Sequence, residues 1–134
     1  VARIAGYEKI PVVEKVSITL DNRKDEFGFE DRIRENAIAL GFNEMVNNPL
    51  IPKTNSQLTG KPIEISNPQS IDMAFLRTSL LVSALPAISN NIKKGEKDLS
   101  VFEIGKSFNA LTGSINNFKD FEEKKNLLFI FNKQ

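Results

Sequence analysis

Between Phe29 and Leu40 the apolar residues Phe29, Ile33, Ala37 and Leu40 recur at intervals of four, four and three. That spacing lines one face of an α-helix and predicts a helix over 27–40, ended by Gly41. Asp25, Glu26, Glu30 and Asp31 crowd its first turns, where the helix dipole favours carboxylates, so they need no bound metal to account for them. A second helix is predicted within 78–94, where Leu81, Ala84, Leu85, Ile88 and Ile92 fall at helical spacing. Pro86 would break its middle, so the pattern places the N-cap at Ser83 and Pro86 in the first turn, where a missing N–H does no harm. Lys93, Lys94 and Gly95 then close it with cations and a glycine. The opening run 1–5 reads as the end of a helix, stopped by Gly6 as a left-handed cap and kept stopped by Pro11.

Elsewhere the period shortens to two. Strands are predicted at 42–46, 62–65, 73–76 and 99–104, with a further extended segment at 12–20 before a polar stretch at 21–26. In 99–104 the alternation puts Leu99, Val101 and Glu103 on one face and Phe102 and Ile104 on the other. The final strand, 127–131, is apolar on both faces and reads as buried, with Lys124, Lys125 and Lys133 bracketing it. Residues 112–123, rich in Asn, Gly and Ser, read as a loop. Phe102, Ile104, Phe108, Phe129 and Phe131 are expected in the sheet core. Connections between strands are often too short for crossover helices, so the fold class is α+β, a mostly antiparallel sheet flanked by helices.

Composition removes whole classes of chemistry. The 134 residues contain no cysteine and no histidine, which excludes disulfides, Cys/His zinc sites, thiol nucleophiles and imidazole bases. Eighteen basic residues against 17 acidic ones leave a net charge of +1, no global field to draw in nucleic acid or an anionic membrane. A run with both Phe and Lys, at Phe118, Lys119, Phe121, Lys124 and Lys125, is cancelled by Asp120, Glu122 and Glu123. No apolar stretch approaches the roughly 20 residues needed to span a bilayer, and Val1 opens no signal peptide. The chain therefore reads as a cytoplasmic piece of a longer protein.

The single, scattered glycines form no phosphate-binding loop of the common kinds. Arg77, after one predicted strand and before a helix, is a possible anion contact, but the favoured reading is a structural arginine pairing with a carboxylate or capping carbonyls.

Three runs are informative together: VARIAGYEKIP at 1–11, LRTSLL at 76–81 and KDLSVFEIGKSF at 97–108. With ALGFNE at 39–44 and SNP at 66–68, they resemble, in order and separation, the beta subunit of bacterial phenylalanyl-tRNA synthetase. The resemblance covers nearly the whole chain. It implies that 1–11 ends a preceding small domain and linker. Residues 12–134 would then belong to a class II aminoacyl-tRNA synthetase core-like domain, incomplete at its C-terminal side. The family's magnesium carboxylates lie upstream of the first run, so no metal ligand carries over, and neither Glu8 nor Asp21 takes that role.

The stretch FEIGKSFN at 102–109 also resembles the second signature of class II synthetases, a strand reading F-E-I-G-x-x-F-R-x-E. Glu103 matches, but Asn109 stands where the family's arginine clamps the α-phosphate of ATP, and Leu111 stands for the last glutamate. A neutral amide cannot replace a bidentate guanidinium. The resemblance thus implies a domain without catalytic, cofactor or metal residues of its own. It would scaffold the catalytic alpha subunit in a heterotetramer of two alpha–beta pairs, with magnesium, ATP and tRNA engaged by the full complex. In chain order, 27–46 corresponds to the first class II signature, which makes Ile38, Phe42 and Met45 the expected subunit-interface residues. Two other classes stay open: a class II-shaped ligase with its own active site built around Arg77, and a free-standing RNA-binding module.

Overall fold

The computed structural model describes residues 2–11, 28–56 and 58–132. In chain order the elements are α1 (Ala2–Ala5), α2 (Gly28–Ala39), β1 (Asn43–Glu44), β2 (Leu50–Ile51), α3 (Lys53–Ser56), β3 (Ile63–Glu64), β4 (Phe75–Leu76), α4 (Leu80–Lys93), β5 (Leu99–Ala110) and β6 (Phe121–Asn132). Short 3₁₀ turns stand at Tyr7–Lys9, Ile71–Met73 and Phe118–Asp120. The extended segment expected at 12–20 and the polar stretch at 21–26, with Asp25 and Glu26, lie outside the described residues.

The α+β expectation holds, but the strands form two three-stranded sheets, ordered β1-β5-β6 and β2-β4-β3. The first is mixed: β5 and β6 pair antiparallel from Leu99↔Asn132 to Ala110↔Phe121, while β1 runs parallel to β5. The second is antiparallel throughout. Backbone bonds stitch the two together. Phe108 N–H donates to the Arg77 carbonyl at 2.9 Å and Ala110 N–H to the Lys61 carbonyl at 2.9 Å, so the inner edge of β5 holds β1 at one end and the second sheet at the other.

Alternation along β5 decides what lies on each side. Phe102 is fully buried, its ring centroid 5.9 Å from that of Phe129, which Phe42 meets edge-on at 5.0 Å. On that face α2 lies against the hairpin, where Lys125 pairs with Glu30, and a cleft of about 310 Å³ opens between Phe29, Ile33, Ile104 and Leu127. The opposite face carries Glu103 and Ser107, both buried, beneath α4. Val82 of α4 reaches the second sheet, closing a cluster with Ile51 and Phe75.

Several sequence expectations are corrected. The α2 face is narrower than predicted: Ala37 is buried, but Phe29 and Leu40 are 64% and 76% exposed. Helix α4 begins earlier, with Ser79 as N-cap accepting from Leu81 N–H, which leaves Pro86 in the second turn. Ser83 is not a cap. Its hydroxyl donates to the Leu80 carbonyl inside the helix, which satisfies the hydroxyl as well as capping would. Gly6 has φ 90° and ψ 136°, a positive-φ conformation outside the left-handed helical well, which glycine adopts without a Cβ penalty. Strand β6 begins at Phe121 instead of 127, inside the stretch 112–123 expected to be a loop, and a helical turn, α3, stands where the pattern predicts no element.

The buried reading of 127–131 is overturned: Leu127, Phe129 and Phe131 are 44%, 42% and 69% exposed. Among the described residues β6 is an edge strand, so its outer row of N–H and C=O groups has no neighbouring strand. Such an edge, flanked by exposed apolar rings on a chain of net charge +1, templates strand pairing between copies. The chain by itself is expected to self-associate with rising concentration. Sedimentation showing a monomer at several hundred micromolar would refute this.

Candidate functional site

The stretch that resembles the second class II signature, Phe102 to Asn109, lies within β5, and its odd-numbered side chains lie on the α4 side of the sheet. Glu103 is the first of them. One carboxylate oxygen, Oε1, accepts from Arg77 Nη1 at 2.6 Å, and Oε2 accepts from Asn47 Nδ2 at 2.7 Å. Arg77 follows β4, where its backbone N–H bonds the Pro49 carbonyl and its own carbonyl accepts from Phe108. Held at both main-chain groups, it has one direction for its side chain, into the joint between the sheets. There Nε donates to the Lys106 carbonyl at 2.9 Å and Nη1 also reaches the Ser83 hydroxyl at 2.9 Å. The guanidinium thus fills the stretch of β5's inner edge between β1 and the second sheet.

Both partners are sealed from water, Arg77 at 3% and Glu103 at 2% exposure. Burying two charges costs several kcal/mol each unless their remaining donors and acceptors are met. That condition is satisfied here, since no buried side-chain nitrogen or oxygen among the described residues lacks a hydrogen-bond partner. Gly105 makes the approach possible. It lies on the same face two residues after Glu103, and a Cβ there would collide with Arg77 Nη2 and stand 3.0 Å from Leu80 Cδ2.

Asn109 turns inward as well. Its amide donates to the Thr78 carbonyl at 3.4 Å, and its side-chain oxygen lies so close to Gly60 that no Cβ would fit there. Thr78, also buried, bonds the Thr59 carbonyl and hydroxyl. Leu111 stands 56% exposed at the hairpin tip. Of the residues singled out from the sequence, the fold brings Arg77 and Glu103 into direct contact, sets Asn109 next to Thr78, and leaves Leu111 apart. Ile38 is 59% exposed near the end of α2, Phe42 is half-buried against Phe129, and Met45 is half-buried with its N–H on the Phe102 carbonyl.

Sequence reasoning missed Asn47, Ser83 and Gly105 in this network. Only Gly105 carried a local signal, by sharing the face of Glu103. Asn47 is 56 positions from the carboxylate it serves, and nothing in its neighbourhood marks it.

Three lysines on the hairpin strands are matched with acids. Lys106 meets Glu123 at 2.5 Å, Lys124 meets Glu122 at 2.9 Å, and Lys125 meets Glu30. The hydrogen bond from Lys125, with Arg34 adding to it, holds the Glu30 carboxyl below the usual carboxylate range. Arg34 is itself engaged by Asp31 and Glu44, each at 2.9 Å. Glu30 and Asp31, the described part of the acidic α2 start, are therefore ion-pair partners, and no group of three or more acidic residues among the described residues is placed to hold a metal ion. Nor is any described helix long and apolar enough to cross a membrane.

Comparison with known proteins places this chain in a family. The model of the phenylalanyl tRNA synthetase beta chain CLM domain matches residues 10–131. Relatives named phenylalanine–tRNA ligase beta subunit include that of Chlorobium chlorochromatii, 36% identical over 112 residues, covering 82% of this chain and 14% of that protein. That of Fusobacterium nucleatum is 37% identical over 118 residues, covering 83% and 14% respectively. That of Thermotoga maritima is 30% identical over 128 residues, covering 91% and 16%. The chain spans about a seventh of the length of the curated relatives it matches. By the extent of that match, from the helix before β1 through the signature strand to β6, the chain belongs to the phenylalanyl-tRNA synthetase beta chain CLM domain family.

Proposed function

We propose that this domain is a catalytically silent, class II synthetase-like core of a phenylalanine–tRNA ligase beta subunit. Its work is to hold the catalytic alpha subunit within an assembly of two alpha–beta pairs. In this reading residues 12–134 belong to the core and 1–11 to what precedes it, while ATP, magnesium and tRNA are engaged by the cytoplasmic complex as a whole. The observation that carries silence is Asn109. A phosphate clamp at the end of the signature strand needs a guanidinium or a comparable charge aimed outward. At that position stands a neutral amide bonded to the Thr78 carbonyl. The nearest arginine, Arg77, is buried on Glu103. The residues present do not fit an ATP α-phosphate, and no step of adenylate chemistry is assigned to them.

For the scaffolding role, support comes from surface that a solitary domain leaves bare. Ile38 and Leu40 near the end of α2 and Phe129 and Phe131 on β6 are exposed apolar side chains, of the kind that buried interfaces use. Phe42 and Met45, half-buried beside Ile38 in the chain, complete the contact region assigned to the alpha subunit.

Two measurements test the reading. Phenylalanine-dependent exchange of pyrophosphate into ATP is expected at background for this chain alone, and the chain is expected to co-purify with the matching alpha subunit. Phenylalanine-dependent exchange clearly above background in the folded chain would instead make the domain a ligase in its own right. Failure to bind the alpha subunit, with the chain folded, would remove the scaffold.

A further inference from the structure

We infer that α2 is a latch that ionic strength releases: its N-terminal half, held to the hairpin by Glu30 on Lys125 and to β1 by Arg34 on Glu44, undocks and unwinds while β5 and β6 stay paired. The two ends of the helix are secured by different physics. At the C-terminal end lies Ala37, the one buried residue of α2. There the Phe42 and Gly41 N–H groups close the turn onto the Ala37 and Ile38 carbonyls at 3.0 and 2.9 Å. Gly41, at φ 86°, makes that turn without a Cβ penalty, and Phe42 then sets its ring edge-on against Phe129. At the N-terminal end little apolar surface is shared. Phe29 is 64% exposed, and the cleft of about 310 Å³ between it, Ile33, Ile104 and Leu127 leaves that half of the helix without close packing. Charge spans the cleft instead. Lys125 of β6 donates to Glu30, and Arg34 reaches Glu44 of β1 at 2.9 Å while also meeting Asp31 at 2.9 Å and Glu30 at 3.5 Å.

Such pairs yield to salt. The Lys125 side chain keeps 51% of its surface in solvent, and Arg34 and Glu44 keep 31% and 30%, so their attraction is weak and screened by added ions. A 12-residue helix released from its sheet does not hold itself in water, so undocking is read as exchange of its amide hydrogens. Near neutrality salt is the lever and acid is not. Among the described residues, the charged groups on the side that Glu30 faces are Lys125, the mutually paired Lys106 and Glu123 of the hairpin, Glu44 of β1, and Asp31 and Arg34 of α2 itself. The hydrogen bond from Lys125, with Arg34 adding to it, holds the Glu30 carboxyl below its usual range. The pair is therefore complete at and above the ordinary carboxylate range and is lost only as pH falls through the lowered value.

The test is hydrogen exchange read by mass spectrometry on the full-length beta subunit that carries this domain, at neutral pH in about 0.05 M and about 1 M sodium chloride. Wild type is compared with Glu30→Gln, Lys125→Met and the double variant. In wild type the higher salt is expected to speed exchange of amides 32–37 roughly two- to fivefold, the range that exposed ion pairs support, with amides 101–108 and 124–130 unchanged. Either single substitution should speed the same amides at low salt, the double variant should add little to either single, and all three variants should respond to salt less than wild type does. Exchange in α2 that ignores salt overturns the inference. So does a rise shared by β5 and β6, which would make the opening global, and so does a salt response in Lys125→Met equal to that of wild type, which would place the screened charges elsewhere.

Discussion

Glu103→Ala is expected to destabilise the chain by about 3–5 kcal/mol, the range found when one partner of a buried ion pair is removed. The substitution deletes the carboxylate that Arg77 Nη1 meets at 2.6 Å and leaves a guanidinium at 3% exposure with only the Lys106 carbonyl and the Ser83 hydroxyl. Asn47 Nδ2 loses its acceptor at the same time. Arg77→Met is expected to be costly for the mirror-image reason, a carboxylate left with Asn47 alone. Together, Arg77→Met and Glu103→Ala should cost well under the sum of the two single losses, since the doubly substituted joint has no unpaired charge to bury. Urea unfolding of the four proteins of this cycle measures the coupling through the shift in midpoint. Singles below about 1 kcal/mol would mean that water reaches the pair and that the joint between the sheets is held by its backbone bonds alone.

Phe102→Ala should be comparably severe, about 3–5 kcal/mol, whereas Phe131→Ala should fall within about 0.5 kcal/mol of wild type. The contrast comes from placement. Phe102 has no exposed surface and packs beside Phe129, which in turn meets Phe42, so truncation leaves a cavity that β1, β5 and β6 cannot close without breaking their ladder. Phe131 sits on the same strand as Phe129 but is 69% exposed, so its truncation opens no cavity. Phe129→Ala, at 42% exposure, should lie between them. Denaturant midpoints for the three variants settle the order. Equal losses at 102 and 131 would mean that Phe131 is covered in solution, for example by self-association through β6, and dilution would separate those cases.

Much of the architecture was legible in the chain. Four-four-three spacing located α2, Gly41 and Gly95 marked the helix ends, and period-two alternation assigned Phe102 and Glu103 to opposite faces of one strand. These features are local: they depend on backbone periodicity, caps and side-chain volume within one element. The family, too, was written in runs of adjacent residues, and the comparison agrees with them over 10–131.

Only tertiary structure decided which apolar residues are interior. The five residues expected in the sheet core, Phe102, Ile104, Phe108, Phe129 and Phe131, look alike in sequence, and burial separates them only because β6 has a neighbour on one side and, among the described residues, none on the other. The N-cap of α4 moved from Ser83 to Ser79 for a related reason. Leu80, Val82 and Ala84 gain more by packing in the helix than the chain loses by carrying Pro86 in its second turn. Arg77 shows the division most clearly. Its type and its place after a strand were in the sequence, and they favoured a structural role, pairing with a carboxylate or capping carbonyls, over an anion contact. Glu103, 26 positions away, became its partner because Phe108 and Pro49 fix the Arg77 backbone against β5 and because Gly105 has no side chain to stand between them. A sequence specifies which groups can pair; which of them meet at 2.6 Å, out of reach of water, is settled by the sheet that carries them.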